Sequence, residues 1–132
     1  MKLDLDCVRD ILLAVEKCPF NQTLNVDKLS AQLPDYDEET IWYACLKMGE
    51  GGLLNIITIN LMGSMLPGIN KITGMTYQGH EFLNAVRTPK VWRAGKAILG
   101  KVGTTTIEGM KEVASNVASN LLEEYLARNG LL

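Results

Sequence analysis

The sequence predicts an α+β chain, mainly helical with one β-hairpin. Three observations carry this reading. Apolar residues recur at offsets of three and four in most of the chain, the mark of helices with one buried face. One stretch, Leu53 to Met75, instead carries Ile, Leu and Thr on both sides of a Gly- and Pro-containing loop, which reads as two strands. Ser, Thr, Asp or Asn stands ahead of nearly every apolar-periodic segment, where helix caps belong. At 132 residues the chain is long enough for one hydrophobic core and is expected to form one compact unit.

The elements follow in order. Asp4 or Asp6 can cap a first helix to about Lys17, with Val8, Ile11, Leu12 and Val15 on its apolar face and Pro19 behind it. "NVDKLSAQL" is a short second helix capped by Asn25, with Val26, Leu29 and Leu33 inward. Pro34-Asp35 breaks the chain, and Asp35-x-x-Glu38 resembles a capping box. The third helix, "DEETIWYACLKMGE", turns Ile41, Ala44, Cys45 and Met48 inward and stops at Gly51-Gly52. Strands are expected over Leu53–Leu61 and Ile69–Met75, separated by the loop "MGSMLPG". Thr76 caps a fourth helix, "YQGHEFLNAVR", and Thr88-Pro89 opens a fifth towards Leu99. Thr105-x-x-Glu108 reads as the capping box of a final helix to Arg128, with Gly130 after it.

Composition and charge exclude several classes. Net charge is −2, but residues 1–50 hold ten acids and five bases, whereas residues 51–107 hold six bases and the single acid Glu81. A chain-wide case for nucleic-acid binding fails and a local one stays open. Three cysteines without CxxC spacing point to reduced, partly buried thiols in a cytoplasmic protein. One histidine is too few for a Cys/His zinc site, and no metal or other cofactor is expected. Gly51–Asn70 carries no charge, but its Asn, Gly and Pro residues interrupt any membrane-spanning helix, so the hairpin is the better reading.

Catalytic patterns are incomplete. Gly95-x-x-x-x-Gly100-Lys101 fits the start of a phosphate-binding loop, yet Val102 stands where a Ser or Thr must ligate Mg²⁺, and the lead-in is a helix. The glycines of this stretch read as a flexible joint between two helices, with Lys96 and Lys101 as solvated charges. His80-Glu81 begins like HExxH, but Asn84 replaces the second histidine. Adjacent pairs such as Glu38-Glu39 and Glu123-Glu124 diverge around their helices and read as solvated faces. The expected activity is therefore binding, without catalysis.

Helix, helix, helix, strand, loop, strand, helix is the order of a winged helix-turn-helix, here over residues 1–87 and followed by C-terminal helices over 88–132. "MKLDLDCVRDILLAVE", "EGGLL" and "MTYQGHEFLNAVRTPKVW", with the closing amphipathic helix, resemble a family of small winged-helix proteins encoded by bacteriophages and prophages. The block Thr76-x-x-Gly79-His80-Glu81-Phe82-Leu83 is the most specific part. The resemblance implies a winged-helix fold and a phage or prophage origin, and no particular activity.

Two functions are expected on that fold. In the first, a dimeric regulator binds double-stranded DNA: Thr40, Tyr43 and Lys47 approach bases, while Lys71, Arg87, Lys90, Arg93 and Lys96 hold phosphates. Against it, the third helix opens with Asp37, Glu38 and Glu39, which repel a phosphate backbone. In the second, the acidic third helix and the apolar loop Met62–Gly68 bind a host or phage protein. The final helix offers Ile107, Met110, Ala114, Val117, Leu121 and Tyr125 as a stripe for a homodimer, the alternative being that it packs on its own domain.

Overall fold

The computed structural model describes residues 1–103 and 105–131. Its order is α1 (Leu5–Lys17), α2 (Val26–Gln32), α3 (Glu38–Glu50), β1 (Leu54–Ile59), β2 (Gly68–Met75), α4 (Tyr77–Val86), α5 (Pro89–Val102) and α6 (Ile107–Arg128). Two compact units result, Met1–Leu83 and Asn84–Leu132, with the division inside α4.

In the first unit, α1 starts where the Asp4 carboxylate accepts the Cys7 N–H, and α2 where Asn25 accepts the Lys28 N–H. The cap of α3 is Asp37, whose carboxylate accepts the Thr40 N–H at 2.8 Å, and not Asp35. Both acids precede the helix, but only the residue directly before its first turn has extended backbone that aims its side chain at the open N–H groups. The end of α3 is a Schellman turn: Gly52 takes φ +77°, and the Leu53 N–H returns to the Met48 carbonyl. Cys7, Val8, Ile11 and Leu12 of α1, Leu29 of α2 and Ile41, Cys45 and Met48 of α3 form one fully buried core.

The uncharged stretch folds as the antiparallel hairpin β1–β2, with two register shifts. A further pairing lies outside the two strands: Leu24, between α1 and α2, exchanges both backbone hydrogen bonds with Ile72 of β2. No helix among the described residues is long and apolar enough to cross a membrane. After β2, the Thr76 hydroxyl donates to the Gly52 carbonyl and accepts the Gly79 N–H, which docks the start of α4 against the end of α3. Phe82 and Leu83 are buried behind it.

The second unit contains the antiparallel hairpin of α5 and α6. Gly95 and Gly100 lie inside α5, which runs three residues beyond the expected Leu99, so neither belongs to a joint. Gly95 is buried, and a β-carbon there would sit 3.0 Å from the Met110 sulfur of α6, so the missing side chain lets the two helices pack closely. The helix stops at Gly103, with φ +85°. A Gly95–Lys101 run held within a helix has its backbone N–H groups turned along the axis and forms no phosphate cradle. Thr106, one residue later than expected, caps α6 by accepting the Gly109 N–H.

Candidate functional site

The first turn of α3 is acidic, and the fold leaves those acids exposed. Asp37 is spent on the cap, and the Thr40 hydroxyl and N–H that bond it hold its carboxyl below the usual range. Thr40, expected near a base edge, is thereby committed to its own helix. Lys47 lies 2.8 Å from the Glu50 carboxylate and 5.4 Å from the Tyr43 ring centre, and the hydrogen bond to Glu50 raises its pKa. The three residues expected to read bases thus carry one cation among them, already paired to a carboxylate.

Trp42, absent from the expected site, organises the region. Its half-buried indole N–H donates to the Pro67 carbonyl at 3.1 Å and ties α3 to the hairpin loop. One helical turn on, Leu46 is buried beside Leu66 and Pro67. At Gly49 a β-carbon would collide with the Ile56 side chain, so the missing side chain lets the hairpin lie close to the helix.

This arrangement encloses an open groove of about 460 Å³ between the N-terminal turns of α2 and α3 and the outer half of the hairpin. Val26, Trp42, Ile59, Leu61 and Ile69 supply its apolar lining. Asp27, Glu38 and Glu39 stand on it as exposed carboxylates, and no Lys, Arg or His lines it among the described residues. Beyond the groove the hairpin exposes further apolar side chains: Ile57 and Leu66 are partly exposed, and Met62 and Met65 fully so. Buried cores or partners normally take up such residues.

The expected phosphate-binding residues fall in two places. Lys71 is exposed on β2, opposite Ile57. Arg87 is half-buried and donates to the Asn84 side-chain oxygen at 3.0 Å. Lys90, Arg93 and Lys96 are exposed along one side of α5. Of the stripe expected to dimerise, Met110 and Ala114 are fully buried, with Met110 against Gly95 of its own unit. Ile107, Val117 and Leu121 are half-buried, and Tyr125 is 60% exposed.

The thiols are free and unequal. Burial pushes the Cys7 thiol up to about 12, aided by the carboxylates of Asp4, Asp10 and Asp37, and burial does the same to Cys45. Cys18 is half-buried in a separate pocket that His80 also lines. Because the thiolate is the reacting form, Cys7 and Cys45 are protected by both burial and protonation at neutral pH. An aromatic disulfide reagent is expected to titrate one thiol in the native protein, with Cys18→Ser removing it, and all three after denaturation.

Comparisons with known proteins agree over most of the chain. An uncharacterized protein of Haemophilus influenzae is 29% identical over 127 residues, covering 92% of this chain and 99% of that relative. No solved structure matches the chain. The model of the family described as hypothetical protein (DUF2513) matches residues 2–105. That span takes in the acidic groove, the apolar hairpin and all of α5, and the chain belongs to the DUF2513 family.

Proposed function

We propose that this protein is a winged-helix interaction module of phage or prophage origin, whose groove takes a basic, apolar segment of a host or phage protein. The winged-helix reading draws support from the element order and from the Leu24–Ile72 pairing, which puts a one-residue third strand between α1 and α2 beside the hairpin. The resemblance carried by the Thr76–Leu83 block supports the origin.

One observation carries the function: three carboxylates edge an apolar groove that no cation lines among the described residues. Lys or Arg on the partner answers those carboxylates, and aliphatic neighbours answer Trp42, Ile59, Leu61 and Ile69. Exposed ion pairs contribute only about 0–1 kcal/mol each, so the apolar contacts supply most of the affinity and the acids select the partner's charge. The same carboxylates oppose a DNA backbone at α3.

The test is a fluorescence-anisotropy titration with a labelled peptide of alternating Lys and Leu, and with its Glu/Leu counterpart. The basic peptide is expected to bind and to weaken as salt rises, while the acidic one stays free. Equal binding of both peptides, or of neither, contradicts the reading.

A second reading rests on a separate observation, the exposed Lys90, Arg93 and Lys96 along one side of α5. These residues suit phosphate contacts to double-stranded DNA. In that case Lys90→Glu with Arg93→Glu abolishes salt-sensitive binding to random-sequence duplex DNA. Unchanged retention of DNA by the double variant removes α5 from consideration.

A further inference from the structure

The last turns of α6 present an apolar face that the rest of their unit leaves open. At 1.5 Å per residue the 14 residues of α5 span about 21 Å, whereas the 22 residues of α6 span about 33 Å. The stripe that is buried at Met110, which lies against Gly95 of α5, and at Ala114 continues along the same side of α6 through Leu121 and Tyr125. Beyond Leu121, Leu122 and Tyr125 are 58% and 60% exposed. The helix ends in a Schellman turn at Gly130, φ +69°, in which the Leu131 N–H returns to the Leu126 carbonyl at 2.8 Å. That turn brings Leu131, 65% exposed, back beside Leu126 and enlarges the apolar patch.

Charge along one flank of this patch names the occupant. Glu124 and Arg128 lie four residues apart on α6 and hence on one side of it, and neither has an ion-pair partner among the described residues. We infer that the distal half of α6 pairs antiparallel with the same segment of a second copy of this chain. About a two-fold axis near Leu126, Glu124 of each copy then faces Arg128 of the other, while Leu122, Tyr125 and Leu131 close over the apolar centre. A parallel pairing sets Glu124 against Glu124 and Arg128 against Arg128, so the charges choose the antiparallel form. A contact of two or three helical turns is small beside the ~1,200–2,000 Å² of a stable interface, which makes the dimer weak and concentration-dependent. The groove beside α3 lies in the other unit, and its binding does not require this pairing.

Sedimentation equilibrium of the full chain over about 1 to 300 μM tests the inference, because a small interface gives a dissociation constant in the micromolar range. The expected result is a monomer–dimer equilibrium that Leu122→Glu with Tyr125→Glu weakens at least tenfold, with circular dichroism unchanged because both residues are exposed. Glu124→Arg alone weakens the dimer, and Glu124→Arg with Arg128→Glu restores it. A monomer across the whole range overturns the proposal. So does a dimer that survives Leu122→Glu/Tyr125→Glu, which assigns association to another surface. Failure of the double charge swap to rescue overturns the antiparallel geometry.

Discussion

Gly79→Ala is expected to destabilise the protein by about 2–3 kcal/mol, although alanine is the better helix former by up to ~1 kcal/mol. Gly79 lies in the first turn of α4, directly over the end of the α3–β1 connection. A β-carbon there would collide with the Leu53 carbonyl oxygen and stand 2.6 Å from Met75 Cγ. The oxygen belongs to backbone that the Thr76 N–H holds at 3.1 Å, and the neighbouring Gly52 carbonyl accepts the Thr76 hydroxyl. Neither can retreat without breaking the dock of α4, so the added methyl is accommodated only by moving the helix. Gly79→Val should cost more, with the folded state lost at modest denaturant. Gly100→Ala is the control: it is an exposed α5 glycine whose β-carbon would meet nothing within 4 Å. It should stabilise by about 0.5–1 kcal/mol. Urea unfolding of the variants measures both effects. A neutral Gly79→Ala contradicts the close approach of α4 to Leu53.

Glu38→Lys with Glu39→Lys is expected to weaken the Lys/Leu peptide about 10- to 100-fold. Both carboxylates are exposed on the groove, and reversal replaces two attractions with two repulsions in partly screened surroundings. The substitution also puts two cations at the positive end of the α3 dipole, a modest cost to the helix. Glu38→Gln with Glu39→Gln removes the charges with much less of that cost and should lose a smaller part of the affinity. The peptide titration reads the graded loss, and unfolding curves separate it from stability. If the Lys variant binds the basic peptide as tightly as the parent, these acids do not select the partner.

Most of the fold was legible in the sequence because its signals are local. Asn25, Thr76 and Pro89 mark helix starts through their own backbone chemistry, and the apolar periodicity of α1 and α3 marks their buried faces. The errors were of two kinds. Asp35 against Asp37, and Thr105 against Thr106, differ only in which neighbouring residue has extended backbone when the helix begins, and sequence spacing does not decide that. Gly95 and Gly100 read as a joint, although Val91, Gly95 and Leu99 fall at offsets of four, the spacing of one inner helix face.

The candidate groove was half legible. The acids of α3 and the apolar loop could be read directly, and their joint use was expected. Trp42 could not be assigned, because its role depends on Pro67, 25 residues away, and on the hairpin leaning over α3. Asp27 was hidden for the same reason: only the packed fold sets the first turn of α2 beside Ile69 and Asn70. Leu24 gave no signal at all, since a strand of one residue has no periodicity.

On the proposed function, the groove between α2, α3 and the hairpin is where this protein meets its partner. Nuclear magnetic resonance titration of the isotope-labelled protein with the Lys/Leu peptide tests it most directly. The Trp42 indole N–H resonance is expected to move together with the amides of Asp27, Glu39, Ile59 and Ile69, while those of α5 stay in place. Shifts confined to α5 or α6, with the Trp42 indole unmoved at saturating peptide, would contradict it.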